Sequence, residues 1–285
     1  MISVKKNYNK TIYLAGGCFW GVQEYYSQLH GVISSIAGYA NGKKEKPTYE
    51  EVKSGEFHFV ETVKVIYDIR YITLEKILEH FLRFVDPYSI NKQGEDEGVQ
   101  YRSGVYFSNT KDKAIIKQYF DTKLNEDYKI EIKRLKNFYQ AEEYHQDYLK
   151  KNPNGYCHIN LFLIKPFEKK TISFQQIAVL CADVYEDMPE NEFTDLDMLV
   201  DKVTNRRPGI TIDDLYEILP YFMQEVATRG IPLVMYKVPG PFNEPIFQFF
   251  RKIAKQSGFR YPSSSINFSK PKTAEELIEE SEKNK

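Results

Sequence analysis

Two adjacent glycines, Gly16-Gly17, separate a short apolar run, Ile12-Tyr13-Leu14-Ala15, from a helix-like stretch, Val22-Gln23-Glu24-Tyr25-Tyr26. A β-branched and aromatic run closed by paired glycines predicts a strand, a tight turn and a helix start. Between turn and helix lie Cys18, Phe19 and Trp20, the last being the single tryptophan of the chain. Cys18 is thereby expected in the first turn of a helix, where free backbone N–H groups and the positive dipole end favour an anion. A thiol at such a point is expected to be partly ionised near neutral pH, and the thiolate is the nucleophilic form. A small buried residue at a tight turn is the plainer reading of a lone Cys. The glycines, the helix start and the adjacent apolar walls of Phe19 and Trp20 favour a reactive thiol.

The 285 residues are enough for two domains, and 42% hydrophobic with 28% charged residues describes a globular chain. A net charge of -1 offers no electrostatic argument for nucleic acid or an anionic membrane as partner. No apolar run approaches transmembrane length, and the first residues lack the apolar core of a signal peptide. Three cysteines, Cys18, Cys157 and Cys181, cannot all pair, which suits a reducing compartment, with the cytoplasm as the expectation.

In chain order the pattern predicts a helix over 18–29 and a strand over 32–39 closing on Asn41-Gly42. A short helix follows Pro47, capped by Thr48 with Glu51 three residues on. Period-two counting from Phe57 puts Phe57, Phe59, Glu61, Val63, Val65 and Tyr67 on one strand face, and every member but Glu61 is apolar or aromatic. A carboxylate inside an apolar face is costly when charged, so Glu61 is expected to be protonated, paired or functional. Leu74, Ile77, Leu78, Phe81 and Leu82 form the core face of a helix, with His80 beside it given no role. The polar stretch 91–98 reads as a loop leading into a strand over 99–107. A helix over 111–124, a strand over 129–135, a helix over 141–149 and a turn at 152–155 complete an α+β layer fold. Nor do the five His residues group as metal ligands, since Glu142-x-x-His145 stands alone.

The segment Gly-Cys-Phe-Trp-Gly resembles the active-site signature of the peptide methionine sulfoxide reductase A (MsrA) family. The resemblance extends, in order, through Gly38-Tyr39, Pro47-Thr48-Tyr49, Ser54-Gly55, Glu61, Tyr67-Asp68, Asp86-Pro87, Gln93-Gly94, Gln100-Tyr101-Arg102-Ser103, Ala141-Glu142, Tyr144-His145-Gln146 and Gly155-Tyr156-Cys157. It covers about 8–165 and implies a two-layer ferredoxin-like sandwich. It also implies thiol-dependent reduction of the S-epimer of methionine sulfoxide, free or in proteins, with no cofactor and with thioredoxin as external reductant. By the same resemblance Cys18 is the nucleophile, Glu61 the acid, and Tyr49 and Tyr101 its assistants. Phe19 and Trp20 hold the substrate methyl, Asp96 and Tyr148 complete the pocket, and Cys157 is the recycling thiol. Glu95 stands where Asn is common in the family, His58 is displaced by one residue, and no Gly-rich tail with a further Cys follows His158.

The domain reading is 1–168 for the catalytic module, 169–270 for a mostly helical C-terminal extension, and 271–285 for a charged tail. In the extension, 173–188 reads as an amphipathic helix with Cys181 on its apolar side, and Thr211 caps a helix that Pro220 should kink or break. Strand-like 231–238 and a helix over 245–255 follow. Two other function classes use the same residues. One is a redox-responsive interaction protein and the other a thiol peroxidase; neither needs Glu61 with Tyr49 and Tyr101.

Overall fold

The computed structural model describes residues 7–188 and 196–230. The chain divides after Ile172 into two compact units, and each is taken by itself. The readings for 231–238, 245–255 and 271–285 lie outside the described residues.

The first unit is built on β1 (Asn9–Ala15), α1 (Phe19–Ser27), β2 (Val32–Ala40), α2 (Tyr49–Lys53), β3 (Val60–Asp68) and α3 (Leu74–Leu82). The small hairpin β4 (Lys92–Gln93) and β5 (Asp96–Glu97) precedes β6 (Gly104–Phe107), α4 (Thr110–Lys123), β7 (Glu131–Arg134), β8 (Phe138–Gln140) and α5 (Tyr148–Lys151). Six strands form one mixed sheet in the order β7-β6-β1-β3-β2-β8. Strands β1 and β2 each run antiparallel to β3 between them, and β6 runs antiparallel to β1. The fold is α+β.

Alternation along the strands assigns the two sheet faces. Ile12, Leu14, Val63, Val65, Tyr67, Val105 and Phe107 are buried against Val22, Tyr25, Tyr26, Ile77, Phe81, Ile116 and Phe120 of α1, α3 and α4. The opposite face carries a small cluster of Ala15, Ala40, Val60 and Tyr106 with Tyr13 and Phe138 against it. Glu61 belongs by parity to the helix-covered face, as the period of two requires. The run expected from Phe57 becomes strand only at Val60, because His58 adopts φ +55° and interrupts the extended backbone.

Caps behave as the sequence dictates. Thr48 accepts from Glu51 N–H while Glu51 accepts from Thr48 N–H, and Ser173 and Gln176 repeat the reciprocal box. Two expectations are corrected. Residues 99–101 form a 3-10 turn rather than the start of a strand, since Gly98 holds φ +147° and Arg102 Nη1 donates to Val99 O at 2.6 Å. The helix expected over 141–149 is a 3-10 turn at Glu143–His145 followed by α5, with Asp147 at φ +50° between them. Side-chain bonds to other elements outcompete helical propensity there: Gln146 accepts from Ala37 N–H at 3.1 Å and donates to Ala37 O at 2.9 Å. Strand β8, which pairs with β2 at Gly38–Ala40, had no signal in the alternation.

The end of this unit is tied down by a buried ion pair. Arg83 donates to both oxygens of Glu168, Nη1 to Oε2 at 2.6 Å and Nη2 to Oε1 at 2.7 Å, and His30 N–H donates to Glu168 O at 2.8 Å. Burial alone would raise the Glu168 carboxyl, but Arg83, His80 and the Lys165 N–H outweigh it and hold it at about 2. Its stabilisation is present above about pH 4.5 and is lost as pH falls toward 2. Glu168→Ala removes the bidentate partner of Arg83 at a largely covered site and leaves it Glu79 Oε1 at 2.6 Å and Leu163 O, so it is expected to cost about 2 kcal/mol at pH 7. Thermal unfolding from pH 7 to pH 2 checks this, the gap from wild type closing as the medium becomes acid.

The described part of the second unit is three helices, α6 (Phe174–Glu186), α7 (Leu196–Arg206) and α8 (Ile212–Thr228). Ile177, Leu180, Cys181 and Val184 of α6 are buried, as are Leu199 and Val203 of α7 and Leu215, Ile218, Phe222 and Val226 of α8. Helix α8 runs on through Pro220 instead of breaking there. Proline removes one N–H donor, and the apolar face packed on either side of it offsets that loss. Arg229 fastens the end of α8 to Asp183 of α6 at 2.7 Å.

Candidate active site

Strand β1 ends on Ala15, the chain turns through Gly16-Gly17, and Cys18 is the N-cap of α1 with no side-chain cap bond. Glycine is needed at 17: φ is +84°, and a Cβ would lie 2.7 Å from Gln93 Cβ and 3.0 Å from the His158 ring. Gln93 fixes the wall opposite the turn. Its amide accepts from Asp86 N–H at 2.8 Å and donates to Asp86 O and Ser103 Oγ, each at 2.9 Å.

Glu61 lies at the start of β3, across from Tyr39 in β2, and accepts from the Phe19 N–H at 3.0 Å. It is 2% exposed. Burial pushes its carboxyl up to about 8, against the Phe19 N–H that favours the anion. At neutral pH it is therefore an acid with its proton on. Cys18 is 7% exposed, and burial first and Glu61 second push its thiol far above the ordinary range. The expectation of a partly ionised thiol is corrected: the helix N-terminus favours the thiolate locally, but loss of water outweighs it. The resting site holds a neutral thiol beside a neutral carboxylic acid.

Tyr49, the first residue of α2, and Tyr101, at the end of the 3-10 turn, both feel Glu61 and Cys18. Burial and then Glu61 push the Tyr49 phenol up to about 12, and Tyr101 is raised for the same reasons. Both are thus hydrogen-bond donors at neutral pH. Tyr49 is held by Glu142, which accepts its N–H at 3.1 Å and the Tyr39 hydroxyl at 2.7 Å.

Phe19 is wholly covered and packs its ring 5.8 Å from Tyr39 and 5.1 Å from His145. Trp20 stacks on Tyr148 with centroids 3.7 Å apart and planes 12° from parallel. Its indole N–H donates to His145 Nδ1 at 3.0 Å, which leaves the imidazole proton on Nε2. That Nε2 is buried without a hydrogen-bond partner, and the centroids of the His145 and Tyr49 rings are 4.5 Å apart. Asp96, on β5, is pushed up by burial and sits with Oδ2 3.6 Å from His158 Nδ1. Cys157 is half-buried. Its thiol donates to Ile159 O at 3.2 Å and lies 3.0 Å from where a Cβ on Gly21 would stand, so a side chain at 21 would crowd it. All three cysteines are free thiols, and Cys181 is buried in the second unit.

The structure thus gathers Cys18, Phe19, Glu61, Tyr49, Tyr101 and Asp96 at one end of β1 and β3, with the Trp20–Tyr148 stack at the start of α1. Sequence reasoning gave no role to Gln93, Glu142, His145 or His158. A signal was available for the first three, inside Gln93-Gly94, Ala141-Glu142 and Tyr144-His145-Gln146. None was available for His158. Among the described residues no three His, Cys, Asp or Glu side chains converge as metal ligands, and no helix is long and apolar enough to cross a membrane.

A buried thiol paired with a protonated carboxylic acid in an aromatic cleft defines a redox thiol site. Residues 10–176 match the family model described as peptide methionine sulfoxide reductase, and the chain belongs to that family. It is 51% identical over 159 residues to peptide methionine sulfoxide reductase MsrA of Ureaplasma urealyticum serovar 10, spanning 55% of this chain and 96% of that protein. The MsrA of Ureaplasma parvum serovar 3 is 48% identical over the same coverage. The crystal structure of Mxr1 from Saccharomyces cerevisiae in reduced form shares 38% identity, covering 55% of this chain and 93% of that one, with a TM-score of 0.48. The chain is accordingly an enzyme of thiol-dependent methionine sulfoxide reduction.

Proposed function

We propose that Cys18 attacks the sulfoxide sulfur while Glu61 protonates the sulfoxide oxygen, assisted by the Tyr49 and Tyr101 hydroxyls. The observation that carries this reading is the buried Glu61 carboxyl, kept protonated at neutral pH and bonded to the residue after Cys18. Sulfoxide oxygen is a poor leaving group until protonated, and an acid with a pKa near 8 is matched to that task at pH 7. The Cys18 sulfur bonds to the substrate sulfur as the S–O bond breaks, the oxygen leaving as water with the thiol proton and the Glu61 proton. Water then cleaves the sulfur–sulfur bond, which releases methionine, returns a proton to Glu61 and leaves Cys18 as a sulfenic acid. Phe19 and Trp20 take the substrate methyl, with Tyr148 and Asp96 completing the pocket. The Trp20–Tyr148 stack is too close to admit a methyl between its rings, so the methyl belongs at its edge.

Cys157 then condenses with the sulfenic acid to a disulfide, and thioredoxin reduces it; no bound cofactor is required. The S-epimer, free or in proteins, is the substrate in this reading, and a reducing, cytoplasmic setting suits three free thiols. The scaffold is read as a ferredoxin-like two-layer sandwich, supported by the order β6-β1-β3-β2 and its antiparallel pairings. The catalytic module is assigned to 1–168, a mostly helical module to 169–270 and a charged tail to 271–285, the first boundary supported by the end of the family match at 176 and the second module by its three described helices. The test is dithiothreitol-driven turnover of separated methionine sulfoxide epimers. Turnover of the S-epimer alone is expected, and no turnover of either by folded protein overturns the reading. Cys157→Ser is expected to release one equivalent of methionine and then stall with thioredoxin.

A further inference from the structure

We propose that His158 is the positioning residue that keeps the Cys157 thiol within reach of Cys18, by pinning its segment to the Gly16-Gly17 turn. The inference rests on the reading of Cys157 as the recycling thiol and adds what holds it in place. The His158 side chain is 4% exposed and donates from Nε2 to Gly16 O at 3.0 Å. A carbonyl only accepts, so Nε2 carries the proton and Nδ1 of the neutral ring presents a lone pair. Nδ1 faces Asp96 Oδ2 at 3.6 Å, and neither atom has a hydrogen-bond partner. The side chain also packs on two glycines: its ring lies 3.0 Å from where a Cβ on Gly17 would stand, and its own Cβ lies 3.0 Å from such a position on Gly94. It therefore bridges the turn that carries Cys18 and the hairpin that carries Asp96.

The surroundings explain why one side chain matters so much. Residues 152–156 are largely exposed, and Gly155 N–H bonds only back to Asn152 O, at 2.8 Å. Beyond, Ile159 and Ile164 are buried. Cys157 thus stands at the border between an exposed turn and an anchored run; Tyr156 ties that border to the hairpin at Glu95 and Asp96, and His158 ties it to the catalytic turn. Disulfide formation needs Cα atoms about 4.4–6.8 Å apart, so small losses of placement slow it steeply. The step is balanced within the chain. The Cys18–OH and the Cys157 thiol form one S–S bond, the S–O bond breaks, and the hydroxyl leaves with the thiol proton as water. The Cys157 sulfur is oxidised and the Cys18 sulfur reduced.

The experiment is a rapid-quench single turnover with one equivalent of methionine sulfoxide and no reductant. It follows methionine release, and the lifetime of the sulfenic acid by dimedone trapping. His158→Ala and His158→Asn are expected to release methionine at the wild-type rate but prolong the sulfenic acid by about tenfold or more. His158→Gln, whose amide nitrogen extends as far as the imidazole Nε2, is expected to restore closure where the shorter Asn does not. Wild-type closure in both Ala and Asn variants overturns the proposal. So does a loss of methionine release parallel to the loss of closure, which would make His158 a general prop of the turn. Cys157→Ser separates the two readings. A persistent sulfenic acid in that variant upholds Cys157 whatever His158 does, whereas wild-type closure there removes the recycling assignment itself.

Discussion

Cys18→Ser is expected to lower reduction of methionine sulfoxide by about 10⁴-fold or more, below detection in a thiol-driven assay, while the protein stays folded. A hydroxyl is nearly isosteric with the thiol but forms no sulfenic acid, so the reaction has no intermediate to pass through. The variant should not be less stable. Cys18 is the N-cap of α1 without a side-chain cap bond, and serine is among the preferred residues at that position. A thermal midpoint equal to wild type, or higher by the few degrees that about 1 kcal/mol brings, is the expected control. Turnover that survives Cys18→Ser would move the chemistry to another thiol.

Glu61→Gln should lose about 10²–10⁴-fold in turnover, because the amide accepts the Phe19 N–H but has no proton to give to the sulfoxide oxygen. The same substitution should change stability in a pH-dependent way. The folded carboxyl ionises near 8 and an unperturbed one near 4.5, so folding favours the protonated form. Stability from that preference is complete below about pH 4.5 and declines as pH rises toward 8. At 1.36 kcal/mol per pH unit the loss by pH 9 is on the order of 5 kcal/mol. Glutamine stays neutral throughout, so the variant's thermal midpoint should fall less than the wild type's between pH 5 and pH 9. Wild-type activity should fall above pH 8, with that limb absent from the residual activity of the variant. Undiminished turnover in Glu61→Gln would overturn the role of Glu61 and move the proton donor to another group, with Tyr49 and Tyr101 the first candidates.

Much of this site was legible before any coordinates. The paired glycines announced the strand, turn and helix that present Cys18, and period-two counting singled out Glu61 as the one carboxylate on a covered face. Local chemistry alone carries both signals, and it carries the caps at Thr48 and Thr211 as well. What stayed hidden depends on contacts between distant residues. The protonation of Cys18 is decided by burial, which a helix terminus cannot reveal. The stretch from Ala141 to Leu149 has good helix formers, yet Glu142 and Gln146 are committed to β2 and to Tyr49, and the chain follows those bonds instead. His158 reaches a carbonyl 142 residues earlier in the sequence, a relation that no spacing rule contains.

The chain's only tryptophan is the one stacked on Tyr148 and bonded to His145. All of its indole fluorescence therefore originates inside the cleft. A stacked phenol and a neighbouring imidazole are both quenchers, so emission is sensitive to any event that parts the rings or alters that hydrogen bond. The molecule carries its own optical probe of occupancy, readable without a label on excitation beyond the tyrosine band, with no second tryptophan elsewhere in the chain.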